Sequence, residues 1–308
     1  LAVIGAGTMG RSIAIDALRS GRTVTLHDRD DEVLSKARRD IASTIGRLQT
    51  GGLSGNWLDW TDRLQMTVEL KQAVGDVKWV VEAVPEDLRL KHSMLETLET
   101  CCPPEVIFAS NSSTLMPSHL AEPLKHPGRL VVAHFWNPAH LVPLVEIVPH
   151  EGTAARTTEW VRAELEQWGK RAIVLRRETP GFVGNRLAFA LQREAMSLVA
   201  QGVASPEEID AVVRWGFGRR IPFTGVFRTA DLGGLDVYAA ISALLFPDLS
   251  RATDVPAPLA DLVARGHLGM KSGEGWYRYE AGEIDAWRER VAGALLSQLR
   301  QDETASRG

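Results

Sequence analysis

Short apolar runs alternate with longer stretches of helical periodicity over the first part of the chain, and helical periodicity alone follows. The runs are Leu1–Ile4, Thr23–His27, Gln65–Val68, Val77–Val84, Val106–Ala109, Val131–His134, Leu144–Val148 and Ala172–Leu175, and each reads as a strand. Between them Met9–Arg19, Glu32–Gln49, Lys91–Leu98 and Arg156–Trp168 read as helices. Thr179-Pro180-Gly181-Phe182 breaks the alternation; Val183–Gln201 is then one long helix, and Ser205 caps another whose first residue is Pro206. Alternating strands and helices followed by helices alone predict an α/β domain over 1–178 and an all-α domain over 179–308. The polar tail, Gln301 to Gly308, reads as frayed.

The first run leads straight into Gly5, Gly7 and Gly10, within L-A-V-I-G-A-G-T-M-G. Gly5 suits a tight turn, Gly7 lets a pyrophosphate approach the backbone, and Gly10 lets the following helix pack against the strand. The second run ends at Asp28, about 20 residues on, where an acid can hold the adenosine ribose hydroxyls. The same carboxylate repels a 2′-phosphate, which favours NAD over NADP. Arg29 could serve a phosphate, stack on adenine or face solvent. The first domain is therefore expected to be a Rossmann-type doubly wound sheet. Ligands of such sheets bind beyond the carboxyl ends of the strands, where Glu86, Ser113 and His134 would converge. Ser110 to Thr114 could equally serve as a helix cap.

Val131 to Val148, V-V-A-H-F-W-N-P-A-H-L-V-P-L-V-E-I-V, carries the chemistry. A glutamate inside L-V-E-I-V is costly to bury without a partner, and His134 at the end of the preceding run can supply one. An imidazole backed by a carboxylate is a general base at neutral pH, although the spacing also allows a structural contact. The seven other histidines have no such setting, and no metal-ligand spacing stands out.

The formal net charge of −4 argues against a nucleic-acid binder. No apolar run approaches the ~20 residues that span a bilayer. Cys101 and Cys102 are adjacent and permit no disulfide framework, which fits a cytoplasmic protein. No secretion signal is visible, and the chain opens inside an apolar run at Leu1, so residues are expected to precede it. Lys36, Arg38, Arg39 and Arg47 could meet a phosphorylated ligand or form a solvated face. Trp57 and Trp60 read as packing residues or a lid.

Eight motifs, in order, resemble the L-3-hydroxyacyl-CoA dehydrogenase superfamily over nearly the whole chain. They are G-A-G-T-M-G (Gly5–Gly10), V-E-A-V-P-E-D-L-R-L-K (Val81–Lys91), S-N-S-S-T-L (Ser110–Leu115), H-F-W-N-P (His134–Pro138), L-V-E-I-V (Leu144–Val148), P-G-F-V-G-N-R-L (Pro180–Leu187), A-D-L-G-G-L-D (Ala230–Asp236) and L-G-M-K-S-G-E-G-W-Y (Leu268–Tyr277). The resemblance implies that His134 is the base and Glu146 its partner, and that Ser113 and Asn185 contact the substrate. It implies an NAD site formed by Gly5, Gly7, Thr8, Met9, Gly10, Asp28, Arg29, Ala83, Glu86, Lys91, Ser113 and Asn137, with Lys271 reaching in from the second domain. It also implies a homodimer formed by the helical domain and a small-molecule substrate.

An L-3-hydroxyacyl-CoA is the first expectation for that substrate. Departures from the family pattern keep a second open. The positions where the family holds CoA with a serine and a lysine correspond here to Thr44 and Gly51, so the lysine is missing. Phe135-Trp136 replaces the usual Phe-Phe, and Arg228 stands where many relatives place an acid. V-P-E-D-L, T-L-M-P-S and P-L-V-E-I-V-P-H resemble the branch that oxidises free 3-hydroxy acids such as L-gulonate or carnitine, which also contains lens crystallins. A non-catalytic NAD-binding protein of that kind is a third possibility.

Overall fold

The computed structural model describes residues 1–305. Its first unit comprises β1 (Ala2–Ile4), α1 (Thr8–Arg19), β2 (Val24–His27), α2 (Asp31–Thr50), β3 (Leu64–Thr67), α3 (Leu70–Val74), β4 (Trp79–Glu82), α4 (Leu88–Cys101), β5 (Ile107–Ser110), α5 (Pro117–Ala121), β6 (Leu130–Phe135), β7 (Leu144–Val148), α6 (Ala155–Gln167) and β8 (Arg171–Val174). The eight strands form one sheet in the order β3-β2-β1-β4-β5-β6-β7-β8. All neighbours run parallel except β6 and β7. The expected doubly wound sheet followed by a helical region is present.

The central strands are buried on both faces, which is why they read as unbroken apolar runs. Within β1, Val3 packs with Ile13, Leu18 and Ile41 of α1 and α2, while Ala2 and Ile4 face the other way, toward Leu95, Leu98 and Phe108. Helix α4 starts three residues before the apolar periodicity does, because the Asp87 carboxylate accepts the amide of Leu90 and closes the first turn. Trp57 and Trp60 pack against the core, and the Trp57 indole donates to the Leu53 carbonyl.

The second unit covers Gly184–Arg288. It holds α7 (Gly184–Ala200), α8 (Pro206–Trp215), α9 (Ile221–Thr224), α10 (Phe227–Gly233), α11 (Leu235–Leu245), α12 (Ala257–Ala264) and the start of α13 (Glu283–Ala305). Ser205 and Glu208 form a reciprocal capping box at the start of α8. From Glu289 on, α13 belongs to the first unit. There Leu299 joins the core, Glu303 bonds Arg19 and Ser54, and Arg300 donates to the Gly51 carbonyl. The tail expected to fray is therefore helical through Ala305 and anchored by Glu303; Ser306 to Gly308 lie outside the described residues.

Candidate active site

The glycine turn after β1 is shaped by close backbone contacts. Gly5 has φ +101°, and a Cβ there would stand 2.6 Å from the Ala83 carbonyl oxygen. A Cβ on Gly10 would fall 1.7 Å from the Gly5 oxygen, whereas one on Gly7 would meet nothing within 4 Å. Gly5 and Gly10 are thus needed for the strand–helix packing, and Gly7 leaves open space at the N-terminus of α1. Those amides and that space suit a pyrophosphate. Thr8 is exposed and Met9 half-buried beside it.

Asp28 directly follows β2, with one carboxylate oxygen accepting the Ala6 amide (2.9 Å) and the other accepting the Asp30 amide (3.3 Å). Its carboxylate is thereby fixed beside the glycine turn; Arg29 is exposed. β1 lies between β2 and β4, where the strand order reverses, so Gly7, Asp28 and Ala83 flank the switch point of the sheet.

Beyond β4 and β5 lies a layered polar cluster. Glu82 is fully buried and accepts from Lys91 Nζ (2.8 and 3.1 Å), Ser110 Oγ (2.5 Å) and the Val84 amide (2.8 Å). Lys91 also donates to the Val84 carbonyl (3.1 Å) and is 1% exposed, so its ammonium is held inside the protein. Glu86 sits above it, 3.5 Å from Nζ, and Oε1 accepts from Ser112 Oγ (2.6 Å), the Ser113 amide (2.9 Å) and the Thr114 amide (3.0 Å). Burial pushes the Glu86 carboxyl up, but the Ser112 hydroxyl, Lys91 and the two amides outweigh it and hold it below its ordinary range. Glu86 thus ties down the loop that presents Ser113. Asn111 closes that loop from below by accepting the Phe135 amide (3.0 Å).

The antiparallel register of β6 and β7 sets His134 directly opposite Glu146. Both are buried, and His134 Nδ1 lies 2.9 Å from Glu146 Oε2. A carboxylate only accepts, so Nδ1 carries the hydrogen and Nε2 is the basic nitrogen. Oε2 also accepts from the Trp136 indole (3.3 Å), and Oε1 from the Val183 amide (3.0 Å). The Trp136 and Phe182 rings each stand 5.4 Å from the imidazole. Phe182 has φ +53°, a left-handed conformation rare outside glycine, and it follows Gly181, itself at +73°. That turn aims the Val183 amide at the carboxylate. Sequence reasoning missed Trp136, Phe182 and Val183 as partners of the pair, although Thr179-Pro180-Gly181-Phe182 does signal a sharp turn.

His134 and the exposed Asn137 lie at the carboxyl end of β6, the same end of the sheet as Gly7, Asp28, Glu86 and Ser113. Asn185 stands in the first turn of α7 and Lys271 is exposed, both in the second unit. Among the described residues no group of three or more His, Cys, Asp or Glu side chains could hold a metal ion. No helix searched there is long and apolar enough to cross a membrane.

A dinucleotide cradle with a buried imidazole–carboxylate pair at the same end of a doubly wound sheet defines an NAD-dependent oxidoreductase. The chain belongs to the 3-hydroxyacyl-CoA dehydrogenase family: residues 1–179 match its NAD binding domain and residues 181–279 its C-terminal domain. It is 31% identical over 300 residues to the 5-formyl-3-hydroxy-2-methylpyridine 4-carboxylate 5-dehydrogenase of Mesorhizobium japonicum, covering 97% of both chains. It is 36% identical over 279 residues to a probable 3-hydroxybutyryl-CoA dehydrogenase of Deinococcus radiodurans, covering 90% of this chain and 99% of that one. With the L-carnitine dehydrogenase of Pseudomonas aeruginosa the identity is 32% over 307 residues, covering 97% and 94%. A crystal structure of a 5-formyl-3-hydroxy-2-methylpyridine 4-carboxylic acid 5-dehydrogenase, described as an NAD+ dependent dismutase, superposes with TM-score 0.93 at 32% identity over 98% of this chain and 97% of that one. For an (S)-3-hydroxybutyryl-CoA dehydrogenase from Ralstonia eutropha the TM-score is 0.74, at 30% identity over 91% and 98%.

Proposed function

We propose that the protein oxidises a carbon that carries both a hydrogen and a hydroxyl, an alcohol or the hydrate of an aldehyde, in a small free carboxylic acid, with His134 as base. The observation that carries this is the 2.9 Å contact between His134 Nδ1 and Glu146. It fixes the tautomer in which Nε2 can take the hydroxyl proton, and places a negative charge behind the imidazolium that forms. Trp136 and the Val183 amide keep the carboxylate aimed, and the aromatic rings exclude water from the pair. Gly7, Thr8, Met9 and Asp28 would hold NAD+, with Glu86 and Lys91 shaping the loop around Ser113; when bound, NAD+ accepts the hydride. Ser113 and Asn185 are the candidates for orienting the substrate oxygens, and Arg29, Asn137 and Lys271 for further cofactor contacts.

The preference for a free acid over a thioester rests on Gly51. By resemblance a lysine at that position would serve CoA, yet a Cβ there would stand 2.4 Å from Leu296 Cδ2. Helix α13 covers the end of α2, with Arg300 bonded to the Gly51 carbonyl. The two relatives named for pyridine-carboxylate and carnitine substrates also align with nearly the whole chain. The thioester reading is favoured by the higher identity of the Deinococcus relative. NADH formation from NAD+ with L-3-hydroxybutyryl-CoA, L-carnitine, L-gulonate and 5-formyl-3-hydroxy-2-methylpyridine 4-carboxylate, offered in parallel, decides between them. Turnover of the thioester alone would overturn the free-acid proposal.

The working form is proposed to be a homodimer joined through the second unit. Among the described residues none between 184 and 288 is buried, and Phe223, Phe227, Leu232 and Leu244 are each at least three-quarters exposed. An apolar surface on that scale marks an interface. Sedimentation of the intact chain should give twice the chain mass; a stable monomer would refute it.

A further inference from the structure

The turn between β6 and β7 hangs from the helix that begins at the glycine fingerprint. Ser12 and Asp16 lie one turn apart on α1, on one face, and both are buried. Ser12 Oγ accepts the His140 amide (3.2 Å) and meets His140 Nδ1 at 2.7 Å. Burial takes His140 down to about 4, so the ring is neutral at ordinary pH and its Nδ1 shares one hydrogen bond with the Ser12 hydroxyl. Lys170, next to the first residue of β8, is buried as well. Its ammonium meets the Asp16 carboxylate at 2.6 Å and donates to the carbonyls of Ala139 (2.5 Å) and Val142 (3.0 Å). Two of its hydrogens thereby have carbonyl acceptors, and the Asp16 carboxylate balances its charge as an ion pair. Within the turn the amides of Leu141 and Val142 both donate to the Pro138 carbonyl, so Lys170 caps the carbonyls that the turn leaves over.

This turn connects His134 to Glu146, and α1 carries Gly7 and Thr8 at its other end. A buried ion pair seldom repays its desolvation in stability, and two apolar residues of similar volume would fold as well. What an ion pair adds is one fixed geometry. We propose that Ser12, Asp16, Lys170 and His140 are positioning residues that lock the base-bearing hairpin to the cofactor helix. The clamp keeps the imidazole at a set place relative to the amides that receive the cofactor phosphates. This inference rests on reading His134 as the base.

Hydrogen exchange and turnover of the full chain test it. In Asp16→Leu/Lys170→Met the amides of 139–142 should exchange at least about tenfold faster, while β1, β4 and β5 keep their protection. With the substrate that the parallel assay identifies, kcat should fall about tenfold or more, with KM for NAD+ within about threefold. Ser12→Ala changes no charge and should show the same pattern, centred on the His140 amide; it decides the matter if the double variant does not fold. Unchanged exchange at 139–142, or loss of protection spread evenly over the whole sheet, would overturn the proposal. His134→Gln is measured alongside: native turnover there would remove the base, and the role of the clamp with it, whatever the exchange data show.

Discussion

Glu146→Gln is the sharpest single perturbation of the site, because it keeps the shape and removes the charge. The buried carboxylate accepts from His134 Nδ1, the Trp136 indole and the Val183 amide. A glutamine offers one acceptor oxygen and one donor nitrogen. With the oxygen toward His134, the NH2 faces the Val183 amide and two donors oppose each other. With the NH2 toward His134, Nδ1 becomes the acceptor and Nε2 carries the hydrogen, the wrong tautomer for a base. Either way the imidazolium loses its counter-charge. At a charge separation of ~4 Å and an effective dielectric constant near 20, that attraction is worth about 4 kcal/mol. If most of it is felt in the transition state, kcat falls by about three powers of ten. A buried donor left unpaired costs a further ~1–3 kcal/mol of folding stability, which leaves the variant folded but with a lower Tm. NADH affinity, measured by fluorescence titration, should stay within about threefold, since the glycine turn and Asp28 are untouched. A folded variant with kcat within about fivefold of the native chain would refute the reasoning.

Two other perturbations test neighbouring parts of the structure. Gly7→Ala should leave Tm unchanged and weaken NADH binding about tenfold or more, whereas Gly10→Ala, whose Cβ would fall 1.7 Å from the Gly5 oxygen, should lower both Tm and affinity; thermal melts and NADH titrations of the pair check this. His140 is held below its ordinary value chiefly by burial, so the unfolded chain binds the proton first as pH falls. Stability is therefore full above about 6.5, declines below it and stops declining near the folded value of about 4, with a loss of at most ~2 kcal/mol by about pH 5. Urea unfolding at the two ends of that range should show the loss in the native chain and a flatter profile in His140→Gln.

Much of this was readable in the sequence because the information is local. β1, β4 and β6 are buried on both faces and so appear as continuous apolar runs, and Gly5, Gly7 and Gly10 sit where one turn needs them. The His134–Glu146 pair was legible because an antiparallel hairpin joins its two strands and an acid in a buried strand needs a partner. The clamp was not, since it joins Ser12 to His140 and Asp16 to Lys170, pairs far apart in the chain that only the assembled sheet brings together. Lys91 reads in sequence as a cofactor ligand, yet its burial against Glu82 is set by the packing of α4 on β4 and leaves no trace in spacing. Likewise helical periodicity beyond Pro180 says nothing of what the final helix, α13, packs on. Leu299 and the Arg19–Glu303 bond, which tie its end to the first unit, are contacts across most of the chain length.

The central claim is that His134 takes the proton in an NAD-dependent oxidation. Turnover and NADH binding of His134→Gln, measured on one preparation against the native chain, test it most directly. The account predicts NADH affinity within about threefold of native and kcat lower by about 10²–10⁴-fold. Turnover close to that of the native chain would contradict it.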